Sequence, residues 1–277
     1  MNKKLLSLYG LKWNPFSANL PIEALFITPP VEHLCWRVEQ TLLGEGGFAL
    51  ISGDPGTGKS VTLRVLSDRL SKLRDINVAT IAHPSSSIAD FYREMGDIFG
   101  VELRPHNRWG GFKSLRERWV AHLEATSMRA VLLIDEAQEM SPTVLNELRL
   151  LSSTDFDSKN LLSIILAGDA RLNNKLRKDE LIPLGSRIRV RRVMDYADRE
   201  ELLACLTHLV SSAGNANLMS PELMQTLCEH AAGNYRAMSI MAAELLGVAA
   251  REELTTLDEK LYLRVYGPTS DKKRRTP

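Results

Sequence analysis

At 277 residues the chain is long enough for one large domain or two modest ones. Hydrophobic content of 44% and charged content of 25% are those of an ordinary soluble globular protein, which sets aside the disordered and fibrous classes. A net charge of +1 says nothing about nucleic acid by itself, although the charge is unevenly spread.

Three cysteines, Cys35, Cys205 and Cys228, are far apart and odd in number. They read as small core residues in a reducing compartment, not as a disulfide framework or a zinc site. Met1-Asn2-Lys3-Lys4-Leu5-Leu6 starts like a signal peptide, but the apolar run stops at Ser7 and meets Gly10, Lys12 and Asn14. No apolar stretch approaches membrane-spanning length, so membrane insertion is not expected and the expected location is the cytoplasm.

In chain order, residues 1–30 carry Tyr9-Gly10-Leu11, Asn14-Pro15-Phe16, Pro21 and Pro29-Pro30, which predicts an irregular, extended lead-in packed on the domain. Val31 to Leu43 predicts a helix with Leu34, Val38 and Leu42 on one face. Phe48-Ala49-Leu50-Ile51 is a short apolar strand running into Gly53-Asp54-Pro55-Gly56-Thr57-Gly58-Lys59-Ser60, after which Val61 to Leu66 has helical spacing. Ile76 to Ala82 predicts a strand ending at His83-Pro84, and Ser87 to Phe99 a helix. Val101 to Trp119 is basic, with Arg104, His106, Arg108, Lys113, Arg116 and Arg118 around Trp109 and only Glu102 and Glu117 in opposition.

Val131-Leu132-Leu133-Ile134, ending in Asp135-Glu136, predicts a strand buried on both faces. Ser141-Pro142 opens a helix with Val144, Leu145, Leu148 and Leu151 as its buried stripe. Leu161 to Gly168 is a second buried strand, and the alternation Arg187-Ile188-Arg189-Val190-Arg191 predicts an edge or half-exposed strand. From Asp195 strands vanish; helices are expected at Arg199 to Ser212, Pro221 to Ala232 and Tyr235 to Arg251, with a short fourth near Leu257 to Tyr266. The expected organisation is a lead-in over 1–30, a three-layer α/β domain with a parallel sheet over 31–194, a helical lid over 195–266 and a basic disordered tail over 267–277.

Gly53 to Ser60 fits G-x-x-x-x-G-K-[ST], the phosphate-binding P-loop, in the strand–loop–helix context the motif requires. Its glycines let backbone N–H groups of Gly53, Asp54, Gly56, Thr57, Gly58 and neighbouring Val61 gather around phosphate oxygens, with Pro55, which has no N–H, shaping the turn of the same loop. Lys59 would reach the β- and γ-phosphates of ATP, and Ser60 would sit on Mg²⁺. Asp135, at the end of a buried strand, would hold the same Mg²⁺, and Glu136 would polarise the attacking water. Hydrolysis fits this set better than a kinase reaction, since no acceptor-binding motif stands out.

The order of P-loop, Asp-Glu strand, second buried strand, arginine-bearing strand and helical lid resembles an AAA+ ATPase. Tyr9-Gly10-Leu11 with Asn14-Pro15-Phe16, His33, Gly47-Phe48, Asp135-Glu136-Ala137-Gln138, Leu148 to Ser152, Arg187-Ile188 and Gly233-Asn234-Tyr235-Arg236 resemble its ExeA-like branch. That branch contains general-secretion ATPases and is related to ATPases that serve transposases, the TnsC, TniB, IstB and phage Mu B proteins. The resemblance implies an arginine finger at Arg187, acting on a neighbouring subunit, and a sensor arginine at Arg236. It implies a water-orienting group at Asp169, where the branch more often has Gln; capping of the following helix is the other reading of that residue. His83 matches a residue that restrains the catalytic glutamate, or is a plain strand end. Phe16 and His33 match positions that wrap the adenine, with core packing the alternative for Phe16.

Secretion members of the branch carry a membrane segment and a periplasmic domain after the ATPase domain, and the 277 residues include neither. The transposition ATPases assemble on duplex DNA in the ATP state and recruit a transposase. Initiator-like AAA+ proteins insert DNA-contacting elements where Arg104 to Arg118 lie, so Arg104, Arg108, Lys113 and Arg116 are candidates for neutralising phosphates, with Trp109 against backbone or base. A solvated helix face is the alternative. The expectation is an oligomeric, ring- or filament-forming, DNA-binding ATPase regulating a transposase. The alternatives are a secretion ATPase acting on protein partners and a weakly hydrolysing, nucleotide-gated scaffold.

Overall fold

A computed structural model of the chain describes residues 2–84, 87–103, 111–154 and 159–267. Arg104, Arg108, Trp109 and the basic tail lie outside the described residues. Two compact units are present: Ile27–Asp195, and a second that joins the described residues up to Phe26 to those from Tyr196 onward.

The first unit is an α/β layer structure. Its elements in chain order are α2 (Pro29–Glu45), β1 (Phe48–Gly53), α3 (Lys59–Ser71), β2 (Ile76–Ile81), α4 (Ile88–Phe99), α5 (Gly111–Thr126), β3 (Arg129–Ile134), α6 (Pro142–Ser152), β4 (Ser153–Thr154), β5 (Lys159–Asn160), β6 (Leu162–Gly168), α7 (Ala170–Leu176), α8 (Ile182–Gly185) and β7 (Ile188–Met194), after α1 (Asn2–Tyr9) of the other unit. The main sheet has the order β2-β3-β6-β1-β7, and every neighbouring pair is parallel. The apolar run Val131–Ile134 of β3 and the mainly apolar β6 occupy the interior of this sheet, and all of β6 is buried. The alternating arginines fall on β7, an edge strand with every second residue exposed at its start, as the period of two requires.

Helix boundaries follow local chemistry. Pro29 and Pro30 both fit the first turn of α2, where no N–H is needed, so the helix begins two residues earlier than the pattern suggested and ends at Gly46, φ +69°. Ser141 caps α6 by accepting from the Val144 N–H at 3.3 Å, and the stripe Val144, Leu145, Leu148 and Leu151 is buried. The odd basic segment becomes α5 from Gly111 on, anchored by Trp119, which is fully buried edge-on to Phe99 with ring centroids 4.7 Å apart. The two-residue pair β4–β5, antiparallel with Ser153 opposite Asn160, was not foreseen, because two residues carry no periodicity.

The second unit is helical: α1, then α9 (Arg199–Ser212), α10 (Pro221–Ala231), α11 (Tyr235–Arg251) and α12 (Glu259–Tyr266). Asp198, Ser220, Asn234 and Asp258 cap the last four with side-chain oxygens. The lead-in differs from expectation. Residues 2–9 form a helix, and Leu5, Leu6, Tyr9, Leu11 and Phe16 pack into the apolar cluster of this helical unit. Asn215 fixes the turn by donating to the Tyr9 carbonyl at 2.9 Å. Burying these side chains outweighs the turn signals of Gly10 and Pro15. No helix among the described residues is long and apolar enough to cross a membrane.

Candidate nucleotide site

β1 delivers the loop Gly53–Gly58 to the C-terminal edge of the parallel sheet, the edge at which open α/β sheets hold ligands. Gly56 and Gly58 adopt φ +88° and +95°, which L side chains rarely do, and this turns the loop around a hollow. Gly53 answers a different need: a Cβ there would lie 2.4 Å from the Met194 carbonyl oxygen on β7. Thr57 is buried and donates its hydroxyl to the Asp54 carbonyl at 2.8 Å, bracing the loop from inside. Lys59 is buried as well. Its ammonium donates to the carbonyls of Gly53 at 2.8 Å and Asp54 at 2.9 Å, folded back over the loop. Ser60 is exposed at the first turn of α3.

β3 leaves the sheet at the same edge, with β6 between it and β1. Strands lie about 4.8 Å apart, so the carboxylates after β3 are offset from the loop by roughly 10 Å, enough for a phosphate chain and its metal between them. Asp135 continues the ladder by donating its N–H to the Ile81 carbonyl at 2.9 Å, and its carboxylate accepts from the Glu136 N–H at 2.9 Å. Glu136 is exposed and has φ +51°, ψ +37°, a left-handed conformation that costs a non-glycine residue about 1–3 kcal/mol.

The turn after Glu136 is held from below. Lys175 of α7 donates to the carbonyl of Gln138 and, at 2.8 Å, to that of Met140. Gln138 is 3% exposed. Its amide nitrogen donates to the Glu136 carboxylate, and its amide oxygen accepts from the Asp169 N–H at 3.2 Å. Gln138 and Lys175 were not singled out from sequence. Gln138 stands in the Asp135–Gln138 motif, but only the turn brings its side chain back to Glu136.

Asp169 takes the capping role. Its carboxylate accepts from the Arg171 N–H and the Arg171 Nε, each at 2.8 Å, which turns it toward α7. Of the two readings of Asp169, these contacts are those of the helix cap. His83 is exposed at the end of β2, and Gln138 holds the contact to Glu136 that His83 was expected to make. Arg187 immediately precedes β7, with its carbonyl accepting from the Phe48 N–H at 3.3 Å. His33 is exposed on the first turns of α2 and stacked on Trp36, ring centroids 5.8 Å apart. Phe16, 7% exposed, packs in the core of the helical unit, the alternative given for it above. Arg236 is exposed in the first turn of α11 in that unit.

Of the nucleic-acid candidates, Lys113 is exposed, with Glu117 4.0 Å away. Arg116 is engaged differently. It pairs at 3.0 Å with Glu147, a carboxylate almost fully buried, which also accepts from the Tyr92 hydroxyl at 2.6 Å. Burial, then the bond to Glu147, raise the Tyr92 hydroxyl well above the ordinary phenol range. Arg116 therefore joins α5 to α6 and α4, a structural engagement that Lys113 does not share.

The residues present fit a nucleoside triphosphate and its magnesium. The loop is a glycine-lined cradle with an internally tethered lysine, and the hard oxygen donors of Ser60 and Asp135 are the type Mg²⁺ takes. Mg²⁺ bound there would neutralise phosphate charge.

Residues 42–176 match the family model described as an AAA domain. Over 243 residues the chain is 30% identical to General secretion pathway protein A of Aeromonas hydrophila, across 86% of this chain and 43% of that protein. Over 191 residues it is 24% identical to ATP-dependent target DNA activator B of Escherichia phage Mu, across 68% and 57% respectively. The chain thus spans about half the length of the curated relatives it matches. The crystal structure of Cdc6p from Pyrobaculum aerophilum shares the fold, with a TM-score of 0.70, 17% identity, and coverage of 88% of this chain and 67% of that one. Residues 42–176 thus resemble an AAA domain, and the chain is similar over most of its length to both the secretion protein and the phage target DNA activator.

Proposed function

We propose that this protein is an ATP-hydrolysing switch that assembles in several copies on duplex DNA and regulates or targets a transposase, with hydrolysis dissolving the assembly. In this reading backbone N–H groups of the Gly53–Val61 loop and the Lys59 ammonium bind the phosphates. Ser60 and Asp135 hold Mg²⁺, and Glu136 accepts a proton from the attacking water. Arg187 serves the site of a second copy.

The observation that carries the reading is the register of β7 on β1. Phe48 lies opposite Ile188 and Gly53 opposite Met194, so Arg187 stands at the opposite edge of the sheet from its own phosphate loop. Six residues at about 3.3 Å each separate them by roughly 20 Å. An arginine there can meet a γ-phosphate only in another subunit, which ties turnover to assembly. Kinship with a phage protein described as an ATP-dependent target DNA activator supports DNA as the template.

The 30% identity to General secretion pathway protein A supports a second reading, an ATPase acting on protein partners. Fluorescence anisotropy of a labelled duplex separates the two. The DNA reading expects binding with ATP, loss of binding with ADP, and affinity that falls steeply with salt. Equal affinity in both nucleotide states, or none, contradicts it and favours the secretion reading.

A further inference from the structure

We infer that Gln138 is the positioning residue for Glu136, holding its carboxylate from the turn after β3. The inference rests on the reading of Glu136 as the group that polarises water. Glu136 is exposed, and a carboxylate on an exposed side chain samples several rotamers unless a partner holds it. Gln138 supplies that partner from a buried position.

The amide of Gln138 can face only one way. Its oxygen accepts from the Asp169 N–H at 3.2 Å, which directs the NH₂ group to the Glu136 carboxylate. The reversed amide would set oxygen against carboxylate and NH₂ against N–H, losing both bonds. The carboxylate is therefore tied through one rigid link to the backbone at the end of β6. Lys175 fixes the carbonyls of Gln138 and Met140, and the left-handed Glu136 precedes this braced turn.

Gly168 makes room for the arrangement. A Cβ at that position would lie 2.5 Å from the Gln138 amide oxygen, closer than such atoms approach. The end of β6 thus has no side chain where Gln138 enters. The next residue, Asp169, has its carboxylate committed to Arg171. From this corner the side chain that reaches the Glu136 carboxylate is that of Gln138.

The test compares Gln138→Met, which keeps the length and volume but loses both bonds, with Glu136→Gln, measuring steady-state ATP turnover, nucleotide affinity by calorimetry and thermal melting. The expected result is a kcat about ten- to a hundredfold lower for Gln138→Met, the range a misplaced reacting group produces, with KM and nucleotide Kd within about twofold of wild type. The double variant Glu136→Gln/Gln138→Met should be no slower than Glu136→Gln alone, since Gln138 acts only through Glu136. Gln138→Asn, one methylene too short to span both partners, should show the same loss and serves if the methionine variant does not fold. Wild-type kcat in either variant beside an inactive Glu136→Gln overturns the inference alone. A further loss in the double variant, or a weakened nucleotide Kd, also overturns it. Wild-type turnover in Glu136→Gln overturns the underlying reading of the site instead.

Discussion

Phe48 donates its backbone N–H to the carbonyl of Arg187, tying the arginine to the start of the strand whose far end carries the phosphate loop. Arg187→Ala should therefore bind ATP normally and lose turnover that rises with protein concentration, by a factor of up to about 10³ or more. Mixing it with Lys59→Ala should restore part of the activity, because one copy supplies the arginine and the other an intact loop. Wild-type turnover in Arg187→Ala, or no rescue on mixing, would contradict action between subunits.

Lys59 donates to the carbonyls of Gly53 and Asp54. Lys59→Ala should abolish measurable nucleotide binding in calorimetry while leaving the fold intact. Unchanged affinity would remove the phosphate-loop assignment.

Lys113 and Arg116 should separate cleanly. Arg116→Ala leaves the buried Glu147 carboxylate without its cation and should lower stability to urea by about 1–3 kcal/mol, the cost of an unsatisfied buried group. The exposure of Arg116, about one third, keeps the figure at the lower end. Lys113→Ala should leave stability unchanged and weaken duplex binding uniformly across sequences. A destabilised Lys113→Ala, or an Arg116→Ala as stable as wild type, would reverse these assignments.

Burial pushes the thiols of Cys35 and Cys228 up to about 11 and that of Cys205 up to about 12. The thiolate is the reactive form, so a thiol reagent at pH 8 should label none of the three in the folded protein and all three in urea. The sign for stability follows. Above the ordinary thiol value the unfolded chain releases protons that the folded chain keeps, so these thiols make the fold less stable as pH rises past about 9. Rapid labelling without denaturant would contradict the burial of these residues.

The parallel sheet was legible because β3 from Val131 to Ile134 is wholly apolar, β6 is apolar but for Ser163, and β7 alternates, two patterns that burial on two faces and on one face impose. The phosphate loop was legible because its glycines and lysine are contiguous in sequence. The corner around Glu136 was not, since Gln138, Gly168, Asp169 and Lys175 meet only after two strands and a turn are in place. The lead-in was misread for a similar reason. Gly10 and Pro15 are local signals, whereas Leu5, Leu6 and Phe16 bury themselves against helices some two hundred residues away in the chain.

The most direct test of the account is electron microscopy of Glu136→Gln with ATP and Mg²⁺, with and without duplex DNA. The substitution keeps the nucleotide loop and removes the group that polarises water. The account predicts rings or filaments that form on DNA and are absent without it. Assemblies indifferent to DNA, or isolated monomers under both conditions, would contradict the proposed switch.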